Sequence, residues 1–139
     1  MNFSTIRQQI SAKISLIPGF KESKHTPDFF GRTQETVGHR AYTVSVGTSQ
    51  ATEERQRRDV GVYISTPIDV LFSYRLRPLD IYPTDYDLAL DDEVTVINAV
   101  LSAYNSQEFT IRYVGSDRSI SDSQEWIIIT LSFTTLHTI

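Results

Sequence analysis

Residues 60–77 read VGVYISTPIDVLFSYRLR. Val60, Val62, Ile64, Ile68, Val70, Phe72, Tyr74 and Leu76 share one parity, and Gly61, Ser65, Asp69, Ser73, Arg75 and Arg77 share the other. Side chains alternate between the two faces of a β-strand, so this stretch predicts a long strand with one apolar and one polar face. At ~3.3 Å per residue it would span roughly 55 Å, well beyond the usual strand, and Pro67 lacks the N–H that a ladder uses. The expectation is a bend or bulge near Pro67, with the segment from Ser65 to Asp69 projecting or lying at an edge.

Upstream, Tyr42, Val44 and Val46 alternate with Thr43 and Ser45 in a half-buried strand from Ala41 to Gly47. Nearer the N-terminus, Phe3, Ile6, Ile10, Ile14 and Ile17 recur at steps of three and four, one stripe of an α-helix. Asn2 or Ser4 can cap it, and Pro18-Gly19 ends it. Between helix and strand, Phe20 to His39 reads as a connector containing Pro27, Gly31 and Gly38. Connectors of that length are usually either mobile or committed to a partner.

Downstream, Thr84-Asp85-Tyr86-Asp87 has the form of a capping box with Asp in place of Glu. Asp85, Asp87, Asp91, Asp92 and Glu93 suit the positive end of a helix. Leu90, Val94, Ile97, Leu101 and Tyr104 continue the stripe, which places Leu90 in the core. The last third reads as two strands, Phe109 to Gly115 and Gln124 to Leu136, joined by the polar turn SDRSISDS. Ile127, Ile129, Leu131 and Phe133 line the core face of the second, while Trp126 and Ile128 point the other way and need cover. Helix, strands, helix, strands without βαβ alternation predicts an α+β domain: an antiparallel sheet of about four strands with two helices packed on one face.

The chain's 139 residues suit one domain, 1–139, and 40% hydrophobic residues suffice for a core. There is no cysteine, which excludes disulfides, thiolate nucleophiles and Cys-based zinc sites. The N-terminal sequence lacks the apolar run of a signal peptide, and nowhere do ~18 apolar residues run together, so synthesis in the cytoplasm and no membrane partner are expected. A net charge of −4 argues against a domain whose task is to grip nucleic acid.

No G-x-S-x-G elbow, H-E-x-x-H helix, EF-hand loop or phosphate-cradling glycine loop occurs, so no catalytic residue, metal ligand or cofactor is expected. His25, His39 and His137 sit in polar or terminal settings and read as solvated surface residues. The acidic segment from Asp80 to Glu93 follows helical rather than loop-ligand spacing. The densest charge cluster is Glu53, Glu54, Arg55, Arg57, Arg58 and Asp59. It reads either as a solvated connection or as an inter-subunit or neck-facing contact, since a guanidinium fork pairs carboxylates bidentately, while its three acidic residues argue against phosphate contact with DNA.

The order of an N-terminal helix, the strand AYTVSVG, a charged loop ending in RQRRDVGVYI, then FSYRLRPLDIYPTDYDLALDDEVTVINAVL and a closing hairpin resembles the tail-terminator family of long-tailed bacteriophages. The resemblance runs over essentially the whole chain. It implies a virion structural protein rather than an enzyme: a homohexameric ring in the neck region, ending tail-tube polymerisation and offering a surface for head-tail joining. The implied partners are further copies of the chain, the tail-tube protein and a neck or head-completion protein, with DNA passing through the channel without specific binding. Another neck, head-completion or tail-tube ring subunit stands beside this reading, as do a small cytoplasmic enzyme and a ligand-binding domain. The candidate assembly interface is the charged cluster Glu53, Glu54, Arg55, Arg57, Arg58 and Asp59, together with Pro67, Asp69, Trp126 and Ile128.

Overall fold

A computed structural model describes residues 2–23, 39–51, 63–76, 82–103, 109–120 and 125–138. The elements are α1 (Phe3–Ser15), β1 (Lys21–Glu22), β2 (Ala41–Val46), β3 (Gln50–Ala51), β4 (Tyr63–Arg75), α2 (Tyr82–Leu101), β5 (Phe109–Ile120) and β6 (Trp126–Thr138). The fold is α+β. Its sheet runs β1-β2-β4-β6-β5, with β3 also paired to β4. Among the described residues, the expected antiparallel sheet of about four strands is thus a mixed sheet of six, because β1 pairs β2 in parallel through Lys21↔Ala41 and Glu22↔Tyr42. Strands of two residues are too short to carry a period, so β1 and β3 leave no trace in the sequence pattern.

Strand β4 runs unbroken and pairs β6 from Tyr63↔Thr138 to Arg75↔Trp126 without a register shift. The irregularity expected at Pro67 lies instead in its other neighbour. β2 pairs β4 as far as Val46↔Ile68, and β3 resumes at Gln50↔Ser65, so four residue steps face three. The Pro67 carbonyl accepts the Gly47 N–H at 2.8 Å, which turns the proline's own missing donor toward this break in the neighbouring strand. Gly47 packs so closely that a Cβ there would lie 2.7 Å from the Pro67 ring. The long strand keeps its register with β6 through Pro67, and the irregularity falls between β2 and β3 on its other side.

Ile64, Ile68, Val70, Phe72 and Tyr74 of β4 are buried, as are Leu76 just after it, Ile127, Ile129, Leu131 and Phe133 of β6 and Tyr42 and Val44 of β2. Helix α1 adds Ile6, Ile10 and Ile14 to the same core. Asn2 caps it as expected, its side chain accepting the Thr5 N–H at 2.9 Å. Gly19 follows with φ of 86°, a left-handed turn that lets the chain leave the helix.

Helix α2 departs from expectation at its start and in its buried face. It begins at Tyr82, before the supposed capping box, with Pro83 in its first turn, where the missing N–H is harmless. Its buried residues are Asp85, Ala89, Glu93, Val96 and Val100, continued by Ala103 just past its end, a stripe turned by about one residue from Leu90, Val94, Ile97, Leu101 and Tyr104. Val94 is 58% exposed, while Ile97 and Leu101 pack against the core's margin and Tyr104 lies outside the described residues. The cause is Glu93. Its buried carboxylate takes both Nε and Nη2 of Arg118 on β5, at 2.7 and 2.8 Å, so an acidic residue occupies the core-facing position. Leu90→Ala is accordingly expected to cost no more than about 1.5 kcal/mol, against about 1.5–3 kcal/mol for Val100→Ala, in denaturant unfolding. Equal losses would contradict the rotated stripe.

Strand β5 also outruns its expected end. The register shifts by one residue between Tyr113 and Gly115, a bulge after which pairing resumes through Ile120↔Ile127. Before the bulge the core face carries Phe109, Ile111 and Tyr113, and after it Ser116, Arg118 and Ile120. That change of parity makes the second half of the strand resemble a polar turn in sequence.

Candidate assembly surface

Both helices contribute to one core against one sheet face, and among the described residues no helix packs on the other. Alternation decides what that second face presents. From β4 come Ser65, Pro67, Asp69, Leu71, Ser73 and Arg75, and from β6 Trp126, Ile128, Thr130, Ser132, Thr134 and Leu136. Pro67 and Arg75 are exposed, and most of the others are partly so. Across the ladder, Pro67 faces Thr134, Asp69 faces Ser132, Ser73 faces Ile128 and Arg75 faces Trp126. The Ser132 hydroxyl donates to the Asp69 carboxylate at 3.1 Å.

The four strand residues expected at an interface, Pro67, Asp69, Trp126 and Ile128, therefore share one face of the sheet. Pro67 and Asp69 lie toward one end, Trp126 and Ile128 toward the other. The remaining six, Glu53, Glu54, Arg55, Arg57, Arg58 and Asp59, lie outside the described residues, as does His25. The face mixes hydroxyl groups with Leu71, Ile128, Leu136 and the Trp126 ring, so it offers hydrogen bonds and apolar contact over a broad sheet surface.

A second cluster escaped the sequence reading. Arg40 holds φ of 58°, and its guanidinium joins three parts of the fold: α2, the segment after α1, and β4. Nε and Nη2 each lie 3.1 Å from Asp92 on α2, and Nη1 donates to the Pro18 carbonyl at 3.3 Å. The same group sits 5.6 Å from the Phe20 ring centre and 5.7 Å from that of Tyr74. Gly19 leaves room for it, since a Cβ there would come within 2.7 Å of Nη1. No local motif announces this arrangement because its parts come from distant segments.

Beside it, His39 Nδ1 accepts the Arg75 backbone N–H at 3.0 Å, extending the ladder that begins with Arg40 N–H on the Ser73 carbonyl. The His39 ring meets Tyr74 edge-on at 4.5 Å. His39, Tyr74, Arg75, Asp85 and Leu88 line a cleft of about 260 Å³. Burial is the main cause lowering the His39 pKa below its ordinary 6.5, and Arg40 adds to it, against opposing pulls from Asp92 and Asp85. Burial likewise raises the Tyr74 phenol. His137 corrects the surface reading outright: it is 1% exposed, with Nε2 3.0 Å from the Thr66 hydroxyl and the Phe3 ring edge-on at 5.4 Å.

A lowered pKa means that the unfolded chain binds the His39 proton first. This contribution to stability is complete above pH 6.5, declines as pH falls through that value, and levels off below the folded pKa. Protonation also turns the Nδ1 acceptor into a donor facing the Arg75 N–H. His39→Asn keeps an acceptor near the Nδ1 position without titrating. Its unfolding midpoint should fall less than the wild-type midpoint as pH drops below about 6.5. Parallel curves would remove His39 from this role.

No family model matches the chain, and no curated protein matches it.

Proposed function

We propose that this chain is a structural subunit of a ring that caps the head-proximal end of a long-tailed phage's tail tube, stopping its growth and offering a surface for joining the head. The observation that carries this reading is the two-sided sheet. One face is layered by both helices, while the other gathers Pro67, Asp69, Trp126 and Ile128 without a helix over it among the described residues. The order of elements supports the same reading. In it, the antiparallel β2-β4-β6-β5 core serves as the scaffold, and the helix-free face meets a neighbouring subunit or the tube.

In a closed ring each subunit uses two different patches, and the rotation between copies must close. A cap must also stack on the tube once and refuse a second layer, so its two ends must differ. DNA crosses such a channel without specific binding, and a net charge of −4 repels phosphate rather than holding it. The second reading is a ligand-binding domain, for which the cleft beside His39 would be the site.

Electron microscopy of the purified protein, alone and mixed with polymerised tail-tube subunits, separates the two. The terminator reading expects rings at one end of the tubes and tubes of arrested length. Trp126→Ala with Ile128→Ala should abolish capping while the chain still folds. Protein that never decorates a tube end would sink the proposal.

A further inference from the structure

Strand β5 ends the sheet, and among the described residues nothing pairs with its outer edge. Which of its backbone groups face outward follows from the ladder. The Pro67 and Ser73 carbonyls accept from Gly47 and Arg40, whereas the Leu76 N–H donates to Glu125, so odd residues of β4 face β2 and even ones face β6. Carried across β6 by alternation, this leaves Thr110, Arg112, Gly115, Asp117 and Ser119 bonded to β6. Phe109, Ile111, Tyr113, Ser116, Arg118 and Ile120 turn their N–H and C=O groups to the outer edge. Of the eight large apolar side chains exposed among the described residues, the strand carries three: Tyr113 at 36%, Val114 at 57% and Ile120 at 41%.

We propose that this edge is an interface with a second copy of the chain: two β5 strands pair antiparallel about a two-fold axis at the bulge, Arg112 of each opposite Asp117 of the other. In this register Phe109 meets Ile120, Ile111 meets Arg118 and Tyr113 meets Ser116. Each pair joins outward-facing backbone groups with side chains on the same face. The bulge selects this partner. The three residue steps from Tyr113 to Ser116 face the same three steps in a second copy, whereas a regular strand opposes them with two, as β6 does. Charge selects the register. Arg112 and Asp117 are both exposed, and a slip by two residues sets Arg112 against Gly115 or Ser119 and loses both ion pairs.

The contact is isologous and cannot by itself close a six-membered ring. It therefore belongs to the free protein before it meets a tube, and it stands or falls separately from the terminator reading.

Sedimentation equilibrium of the full chain tests it. The wild type should form a dimer. Arg112→Asp or Asp117→Arg alone sets two like-charge pairs across the axis and should raise the dissociation constant about tenfold or more. The double variant Arg112→Asp with Asp117→Arg restores both pairs in reverse and should regain the dimer, with far-ultraviolet circular dichroism unchanged throughout. A wild type that stays monomeric, a dimer or hexamer indifferent to both single reversals, or a double variant that fails to recover would overturn the proposal. An indifferent hexamer would do so while favouring the ring.

Discussion

Phe72→Ala is expected to lower the unfolding free energy by about 3–5 kcal/mol, the largest effect of any substitution considered. Phe72 is 0% exposed and lies on β4 between Tyr42 on β2 and Ile129 on β6. Its ring meets Phe20 edge-on at 5.5 Å, which ties the segment after α1 to the sheet. Truncation removes the buried ring and leaves a cavity bounded by a sheet whose neighbours on both sides are fixed by ladders, so little collapse is available. Phe72→Leu, which refills most of the space, should cost clearly less. Denaturant melts of the two variants provide the measurement. An alanine variant within about 1 kcal/mol of wild type would mean that the helical layer does not close over β4 at this point.

The parity that buries Phe72 was plain in the sequence, because β4 is long and central and one of its sides is apolar at nearly every position. The Asn2 cap and the Ile6-Ile10-Ile14 stripe were legible for a similar reason: both signals are local. The misreadings each have a non-local cause. Glu93 looks like a solvent residue until Arg118, 25 positions away, is seen to hold its carboxylate. The second half of β5 looks like a turn because a single extra residue at the bulge inverts which positions face the core. A bend was expected at Pro67 because the sequence cannot show that β2 and β3 break opposite it. At the surface, alternation set Asp69 on the polar parity of its strand and turned Trp126 and Ile128 away from the core, but only the β4–β6 register brings them and Pro67 onto one face. Nothing local could have joined His39 and Arg40 to Asp92, Tyr74 and Pro18.

Arg118→Ala is the second large effect, at about 1–3 kcal/mol. The Glu93 side chain is 3% exposed, and both its oxygens are held by the Arg118 fork, so removing the arginine leaves a buried carboxylate without its cation. The loss falls below that of a wholly buried pair because the Arg118 side chain is 44% exposed, and water already screens its outer part. Arg118→Lys keeps the charge but not the fork, and should fall between alanine and wild type. The decisive comparison is the double variant Glu93→Leu with Arg118→Ala. Replacing a buried pair by apolar side chains is often nearly neutral, so the double should be more stable than Arg118→Ala alone. Simple additivity of the two single losses would show that the carboxylate finds other partners once the arginine is gone. The pair also pins the far half of β5 against α2, past the bulge, where the core-facing residues Ser116 and Ile120 give little apolar burial of their own. Hydrogen exchange in Arg118→Ala should therefore quicken at Asp117 and Ser119, whose N–H groups face β6, before it quickens at Thr110 and Arg112.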